Sequence, residues 1–237
     1  MMLKLGIPSK GRLQDKTIDW FATKDIFIKR TGSDREYAGF VEGMSGVELV
    51  LLSAGEIPKE LAAGRINLGV TGTDLVREEI YDWVNIVDEV EPLGFGRANL
   101  VLAVPDCWID VAKVDDLDAV AAQFRSDHGF RLRIATKYHS LTRQFLSTHG
   151  VADYQLIDSQ GATEGTVKNL HAEAIADITS TGDTLRANGL RILADGLILR
   201  SEATVYASRM AKWDAAEEAG FATLAEKTGW AQRVITV

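Results

Sequence analysis

Two hydrophobic rhythms alternate along this chain. Short unbroken apolar runs read as buried strands: "LKLGIP" at 3–8, "GVELVLLSA" at 46–54, "INLGV" at 66–70 and "VNIVDEV" at 84–90. Between them lie segments with an apolar stripe at helical spacing. In "GRLQDKTIDWFATK", Leu13, Thr17, Trp20 and Phe21 share one face; "EIPKELAAGR" places Pro58 in a first turn and Gly64 at a stop. "DLVREEI" reads as a further helix. The alternation then restarts with strand "GRANLVLAVP", helix "DDLDAVAAQF", strand "RLRIAT", helix "SLTRQFLSTHG", strand "YQLID" and a turn around Gly161. Such alternation predicts an α/β fold with mainly parallel strands.

The run "LILRSEATVYAS" is too long for one central strand of a small domain and predicts a connection passing between two lobes. The last stretch, "RMAKWDAAEEAGFATLAEKTGW", is rich in Ala and Leu and predicts a C-terminal helix. The expected architecture is two α/β lobes, the second inserted in the first: lobe I from residues 1–92 and 191–237, lobe II from 93–190. The cleft between such lobes is the default ligand site.

Composition narrows the function classes. At 237 residues and 46% apolar, the chain can bury a core without staples. Its single cysteine, Cys107, cannot form an intramolecular disulfide, and one Cys with four scattered His shows no metal-type spacing. There is no signal-peptide stretch at the N-terminus and no run of about 18 apolar residues, so a soluble cytoplasmic protein without membrane contact is expected. The net charge of −8 argues against a nucleic-acid partner, which asks for a basic face. A local basic pocket for a small phosphorylated substrate stays compatible with it.

The motifs divide into rejected and retained ones. "GIPSKG", residues 6–11, matches the first half of a P-loop, but Arg12 and Leu13 stand where the lysine and hydroxyl are needed. What survives is a cation pair, Lys10 and Arg12, flanking Gly11, with a solvated surface pair as the plain alternative. "LGFGRAN" lacks a third glycine and precedes a strand, so it is no dinucleotide fingerprint, although Arg97 can still face a ligand. "ATKYHS" sets Thr136, Lys137 and Tyr138 at a strand's carboxyl end, where α/β sheets place ligand contacts. A surface lysine beside a half-buried tyrosine is the plain reading of the same letters. No Ser-His-Asp or Cys-His arrangement can be argued.

"IADITSTGDTLRANGL", residues 175–190, carries the densest chemistry. Asp177 closes a strand, and Thr179, Ser180, Thr181 and Thr184 surround Gly182 where a helix begins. Hydroxyls and N–H groups at a helix start suit a phosphate monoester; an acid just before them suits sugar hydroxyls or a Mg²⁺ ion. A structural cap is the competing account. "INLGVTGTDLVRE" echoes this pattern in the other lobe, with Asp74 in its first helical turn.

Taken together, "PSKGRL", "LLSAGEIPKELAAGRINLGVTGTDLVRE", "LGFGRANLVLAVP", "RIATKYHSLTRQFL" and "DITSTGDTLRANGL" resemble, in order and spacing, the ATP phosphoribosyltransferase family of histidine biosynthesis. The resemblance covers nearly the whole chain. It implies a fold of periplasmic-binding-protein type II-like architecture, with the second lobe inserted and a ligand cleft between lobes. It implies the short form of the catalytic subunit, without a C-terminal regulatory domain of the ACT type. Such chains are expected as homodimers within a hetero-oligomer that includes a histidyl-tRNA-synthetase-like regulatory subunit. The implied reaction joins N1 of ATP to C1 of 5-phosphoribosyl 1-pyrophosphate, with Mg²⁺ carried by the substrate pyrophosphate, no organic cofactor, no covalent nucleophile and no metal ligand firmly assigned among the side chains.

Residue by residue, the resemblance implies that Thr179, Ser180, Thr181, Gly182 and Thr184 cradle the 5-phosphate, with Asp177 at the ribose hydroxyls and Glu164 of "GATEG" near the same substrate. It implies that Lys10, Arg12, Arg35, Asp74, Arg97, Lys137 and Tyr138 bind ATP or pyrophosphate. Two departures stand out. Many members carry "R-A-x-D-I-P" where this chain has "SAGEIP", so Ser53 replaces a cation and Glu56 lengthens an acid. The stretch "GTVKNLHAEA" puts Val167, Leu170 and Glu173 where relatives carry proline, glycine and "AD", which makes the path from Glu164 to Asp177 uncertain. The rivals are a non-catalytic two-lobed solute-binding or sensor protein for a phosphorylated small molecule, and a phosphoribosyltransferase of the commoner fold. The latter would place two adjacent acids before the Thr-Gly loop, where only Asp177 is present.

Overall fold

A computed structural model describes residues 2–30, 38–159 and 163–230. The chain forms two compact units, Met1–Gly96 with Glu202–Val237, and Arg97–Ser201. The first begins with β1 (Leu3–Pro8), α1 (Gly11–Ala22), β2 (Ile28–Arg30), β3 (Ala38–Val41), β4 (Val47–Leu52), α2 (Ile57–Ala62), β5 (Leu68–Gly72), α3 (Thr73–Glu79), α4 (Trp83–Ile86) and β6 (Val87–Pro92). The second holds β7 (Ala98–Pro105), α5 (Val114–His128), β8 (Leu132–Thr136), α6 (His139–Thr148), β9 (Tyr154–Asp158), α7 (Gly165–Lys168), β10 (Ala174–Thr179), α8 (Asp183–Ala187) and β11 (Leu190–Ser201). The chain then returns to the first unit with β12 (Ala203–Ser208) and α9 (Ala215–Thr228).

In the first unit the strand order is β2-β3-β4-β1-β5-β12-β6. β1 runs parallel to β4 and β5, whereas β2, β3, β12 and β6 pair antiparallel. The second sheet runs β11-β7-β10-β8-β9, parallel across β10, β8 and β9 and antiparallel at β7. The sheets are thus mixed, not mainly parallel as the alternation suggested. β2 and β3 flank a polar stretch that gives no strand signal, and β7 and β12 reverse direction at the two places where the chain passes from one unit to the other. The unit boundaries also fall later than residues 92 and 190, because Leu190–Ser201 stays paired along β7.

Each sheet has its own core. Leu3, Leu5, Ile7, Leu49, Leu68, Val70 and Val205 pack under Phe21 and Phe221 in the first unit. Leu102, Val104, Ile134, Ala174 and Ala176 meet Leu117, Ala121 and Leu146 in the second. Fully burying a Leu, Ile, Val or Phe side chain among these contributes about 1.5–3 kcal/mol. Three local readings change. "WVNI" is one helical turn before β6 and not part of a strand. The buried face of α1 centres on Gln14, Thr17 and Phe21, with Leu13 and Trp20 half-buried. The C-terminal helix starts only after Asp214, whose carboxylate accepts a hydrogen bond from the Ala216 N–H as its N-cap. Gly161, expected to centre a turn, and Arg35 lie outside the described residues. No helix among the described residues is long and apolar enough to cross a membrane.

Candidate functional site

Sheet register decides which candidate residues meet. In the second unit, β10 lies parallel to β8 with Ala176 opposite Thr136, so Asp177 follows at the level of Lys137 and Tyr138. β9 runs parallel to β8 with Asp158 opposite Thr136. β7 is antiparallel to β10 and pairs Asn99 with Thr179, which brings Arg97 to the same end. One end of this sheet, the carboxyl end of its parallel strands, therefore collects Arg97, Lys137, Tyr138, Asp177 and the turn from Thr179 to Thr184. α/β sheets commonly bind ligands at that end.

The turn has its own wiring. Gly182 sits at φ +77° immediately before α8, a conformation that costs a residue with a Cβ, and an added Cβ would stand 3.1 Å from an Arg186 guanidinium nitrogen. The Gly182 N–H donates to Thr179 Oγ1 at 2.8 Å, and the Asp183 N–H donates to Thr181 Oγ1 at 3.3 Å. The Thr181 hydroxyl in turn donates to the Asp183 carboxylate, which Arg186 also grips. The Thr181 hydrogen bond, reinforced by Arg186, holds the Asp183 carboxyl below the ordinary aspartate range. Ser180 Oγ donates to the Arg97 carbonyl at 3.2 Å, tying the turn to the start of β7. Asp183, which has no role in the sequence reading, thus organises the turn. The i,i+3 spacing of Asp183 and Arg186 was the available signal for that pair.

Neighbouring loops are fixed from inside. The Ser159 N–H donates to the Thr136 carbonyl, and the hydroxyls of Ser159 and Thr163, both buried, lie 2.8 Å apart. That pair anchors half-buried Glu164 at the start of α7. The path onward to Asp177 is also defined. Leu170 turns the chain at φ +59°, and Glu173 pairs with Arg133 of β8 while accepting the Arg133 N–H. Arg133 donates in addition to the Leu170 carbonyl. Val167 packs against the buried cluster around Ile175 and Leu185. Tyr138 is 6% exposed, more buried than the half-buried tyrosine expected, and its N–H donates to Thr136 Oγ1.

In the first unit, the carboxyl ends of β1, β4 and β5 lie side by side. Lys10 and Arg12, both exposed, follow β1 around Gly11 at φ +77°, and the Ser9 N–H donates to the Leu52 carbonyl. After β4, the Ser53 N–H donates to the Glu56 carboxylate at 2.9 Å and the Glu56 N–H donates to the Ser53 carbonyl. Hydrogen bonding to Ser53 pulls the Glu56 carboxyl below its usual range. Ser53 and Glu56, which stand where relatives carry a cation and a shorter acid, thus bond to each other in the turn that leads into α2.

After β5 the hydroxyls turn inward. Thr71 Oγ1 donates to the Ala54 carbonyl, and Thr73 takes part in a buried network with Thr204, Tyr206 and the Glu202 carbonyl. Burial pushes the Tyr206 hydroxyl up to about 12. Asp74 is only 7% exposed. Neither helix has a Thr or Ser at its N-cap; glycine holds both positions, Gly72 and Gly182. Among the described residues no cluster of three His, Cys, Asp or Glu is arranged to hold a metal.

Comparison with known proteins adds three findings. Residues 53–227 match the family model described as HisG: ATP phosphoribosyltransferase. The chain is 64% identical over 230 residues to an ATP phosphoribosyltransferase of Cereibacter sphaeroides, covering 97% of each, and 51% identical over 211 residues to one of Bradyrhizobium sp., of which it spans 65%. Its fold is similar to the ATP phosphoribosyl transferase (HisG:HisZ) complex from Thermotoga maritima, with a TM-score of 0.70, 24% identity and 96% of each chain covered.

Proposed function

The chain belongs to the ATP phosphoribosyltransferase family, and from that premise we propose how its residues serve the transfer of a phosphoribosyl group to N1 of ATP, the first step of histidine biosynthesis. The observation that carries the reading is the exposed turn Ser180–Thr184, set by the left-handed Gly182 and backed by Asp177, at the carboxyl end of β10. There the 5-phosphate of 5-phosphoribosyl 1-pyrophosphate would sit against Thr179, Ser180, Thr181, Gly182 and Thr184, its ribose hydroxyls within reach of Asp177 and Glu164. Thr179 and Thr181, which close the turn on itself, would trade those bonds for phosphate oxygens and so free the Gly182 and Asp183 N–H groups for the ligand; charge-assisted bonds of this kind contribute about 1.5–3 kcal/mol each.

Exposed Lys10, Arg12, Arg97 and Lys137 are proposed to neutralise the phosphates of ATP and the departing pyrophosphate, with buried Asp74 and Tyr138 shaping the nucleotide's surroundings; Arg35 stays in this set by sequence position. Mg²⁺ would arrive with the pyrophosphate as part of the substrate. In the step itself N1 of adenine forms a bond to C1 while the C1–O bond to pyrophosphate breaks, and the leaving group takes the electron pair. Such a displacement needs alignment of two reactants and stabilisation of developing charge, not a covalent nucleophile. The non-catalytic binding-protein reading is not favoured, since relatives at 64% and 51% identity carry the transferase name.

We also propose that the chain acts in the cytoplasm within a hetero-oligomer, as a homodimer joined by a regulatory subunit of the kind named in the Thermotoga complex. The test is direct. Purified chain with ATP, phosphoribosyl pyrophosphate and Mg²⁺ is expected to form phosphoribosyl-ATP, faster once the second subunit is added. No product with that subunit present would refute the reading.

A further inference from the structure

Along the outer edge of the Arg97–Ser201 unit lies an open-sided groove of about 670 Å³. One wall is α6, on which His139, Arg143 and Ser147 follow one another at four-residue spacing and so share a face. The other is β9, an edge strand paired only with β8, which contributes Tyr154 and Gln155. Arg131, immediately before β8, completes the lining.

Charge sets this groove apart from its surroundings. Among the described residues no carboxylate lines it, although its His139 lies 3.4 Å from the Asp158 carboxylate. Two nearby arginines are each paired with an acid, Arg125 with Asp153 and Arg133 with Glu173. Arg131 and Arg143 are exposed and have no ion pair among the described residues. In a chain of net charge −8, two exposed arginines without ion pairs along one groove make a local positive field that favours an anion there. Ser147 adds a neutral hydroxyl to the lining, and the volume falls within the roughly 300–1,000 Å³ of small-molecule sites.

The groove reaches the substrate residues only through His139, which follows Tyr138; Arg131 and Tyr154 lie at the opposite end of the strands. Arg131 precedes β8 and Tyr154 opens β9, at the amino ends of the two parallel strands, whereas Lys137, Tyr138 and Asp177 follow the carboxyl ends of β8 and its neighbour β10. We propose that this groove is a second anion site, taking a small phosphorylated molecule on Arg131 and Arg143 independently of the substrates. A guanidinium fork matches phosphate oxygens bidentately, and two of them along one groove suit a phosphate dianion better than a single carboxylate.

The experiment uses the full chain, inorganic phosphate as probe and backbone amide NMR as readout. Phosphate is expected to shift amides around residues 147–156 and, separately, those around 179–184. Arg131→Gln combined with Arg143→Gln should weaken the first response at least about tenfold and leave the second unchanged. Thr181→Val combined with Thr184→Val should do the reverse. Groove amides unmoved by phosphate on the order of 10 mM would overturn the proposal, as would undiminished affinity in the double glutamine variant. A response to a polyglutamate peptide but not to phosphate would overturn it too, in favour of a protein-binding surface. Loss of the turn response alone would count against the substrate assignment and not against the groove. Both arginines are exposed, so the unaltered remainder of the amide spectrum reports that the variant is folded.

Discussion

The turn Thr71–Asp74 and the turn Ser180–Thr184 are written in nearly the same letters, threonine, glycine and an acid opening a short helix after a buried strand, yet they face different surroundings. In the first unit Thr71, Thr73 and Asp74 are buried, and the two hydroxyls hold the Ala54 loop and the return of the chain through Glu202, Thr204 and Tyr206. In the second unit Ser180, Thr181, Asp183 and Thr184 are exposed, and Gly182 lies in the left-handed region where Gly72 is extended at φ −73°. One turn is a bracket for the fold. The other presents its polar groups to solvent, where a phosphate can reach them. Similar letters therefore do not assign similar roles; burial separates a hydroxyl that satisfies the protein from one that can satisfy a ligand.

The comparison breaks most visibly at the two positions that differ most. Gly182→Val places a β-branched residue at φ +77° and crowds Arg186, so the Michaelis constant for phosphoribosyl pyrophosphate is expected to rise about 100-fold with that for ATP little changed, in steady-state kinetics. Gly72→Ala, in an extended backbone, should show no such selectivity; an equal effect on both substrates from Gly182→Val would sink the assignment of the turn. Thr73→Val should instead cost about 1–3 kcal/mol of stability in denaturant titrations, because the Tyr206 hydroxyl loses a buried partner. If Thr73→Val left stability intact and raised the constant for phosphoribosyl pyrophosphate, the two turns would have to exchange roles.

Removing hydroxyls at the exposed turn is a milder change. Thr181→Val with Thr184→Val is expected to raise the Michaelis constant for phosphoribosyl pyrophosphate about tenfold and to lower stability far less than Thr73→Val does. The smallest effect concerns pH. The Asp183 carboxyl is held low by Thr181 and Arg186, so its contribution to stability is present above the ordinary aspartate range and is lost as pH falls through the folded-state value. The thermal midpoints of the wild type and Asp183→Asn should therefore differ slightly at neutral pH and converge below about pH 4. A difference that persisted in acid would mean that the carboxylate charge plays no part in the turn.

Much of the site was legible in the letters because it is local. A strand, a glycine and a hydroxyl run at a helix start are neighbours in sequence, so "DITSTGDTL" pointed to its own geometry before any packing was known. Ser53 and Glu56 were equally local, yet they read as a lost cation and a lengthened acid and not as two partners in one turn. The links that escaped are long-range. Nothing near Thr73 announces Tyr206, and nothing near Glu173, which immediately precedes β10, announces Arg133 on the adjoining β8.

By itself the sequence determined the alternation of strands and helices, the family and the polar turn at Gly182, since each depends on periodicity or on residues close together in the chain. Tertiary structure alone decided the reversed directions of β7 and β12, the gathering of Arg97, Lys137, Tyr138 and Asp177 at one sheet end, and the burial of one echoed turn beside the exposure of the other. The physical reason is that strand pairing and burial are set by partners distant in sequence, whose apolar faces must be covered and whose backbone groups must be paired together.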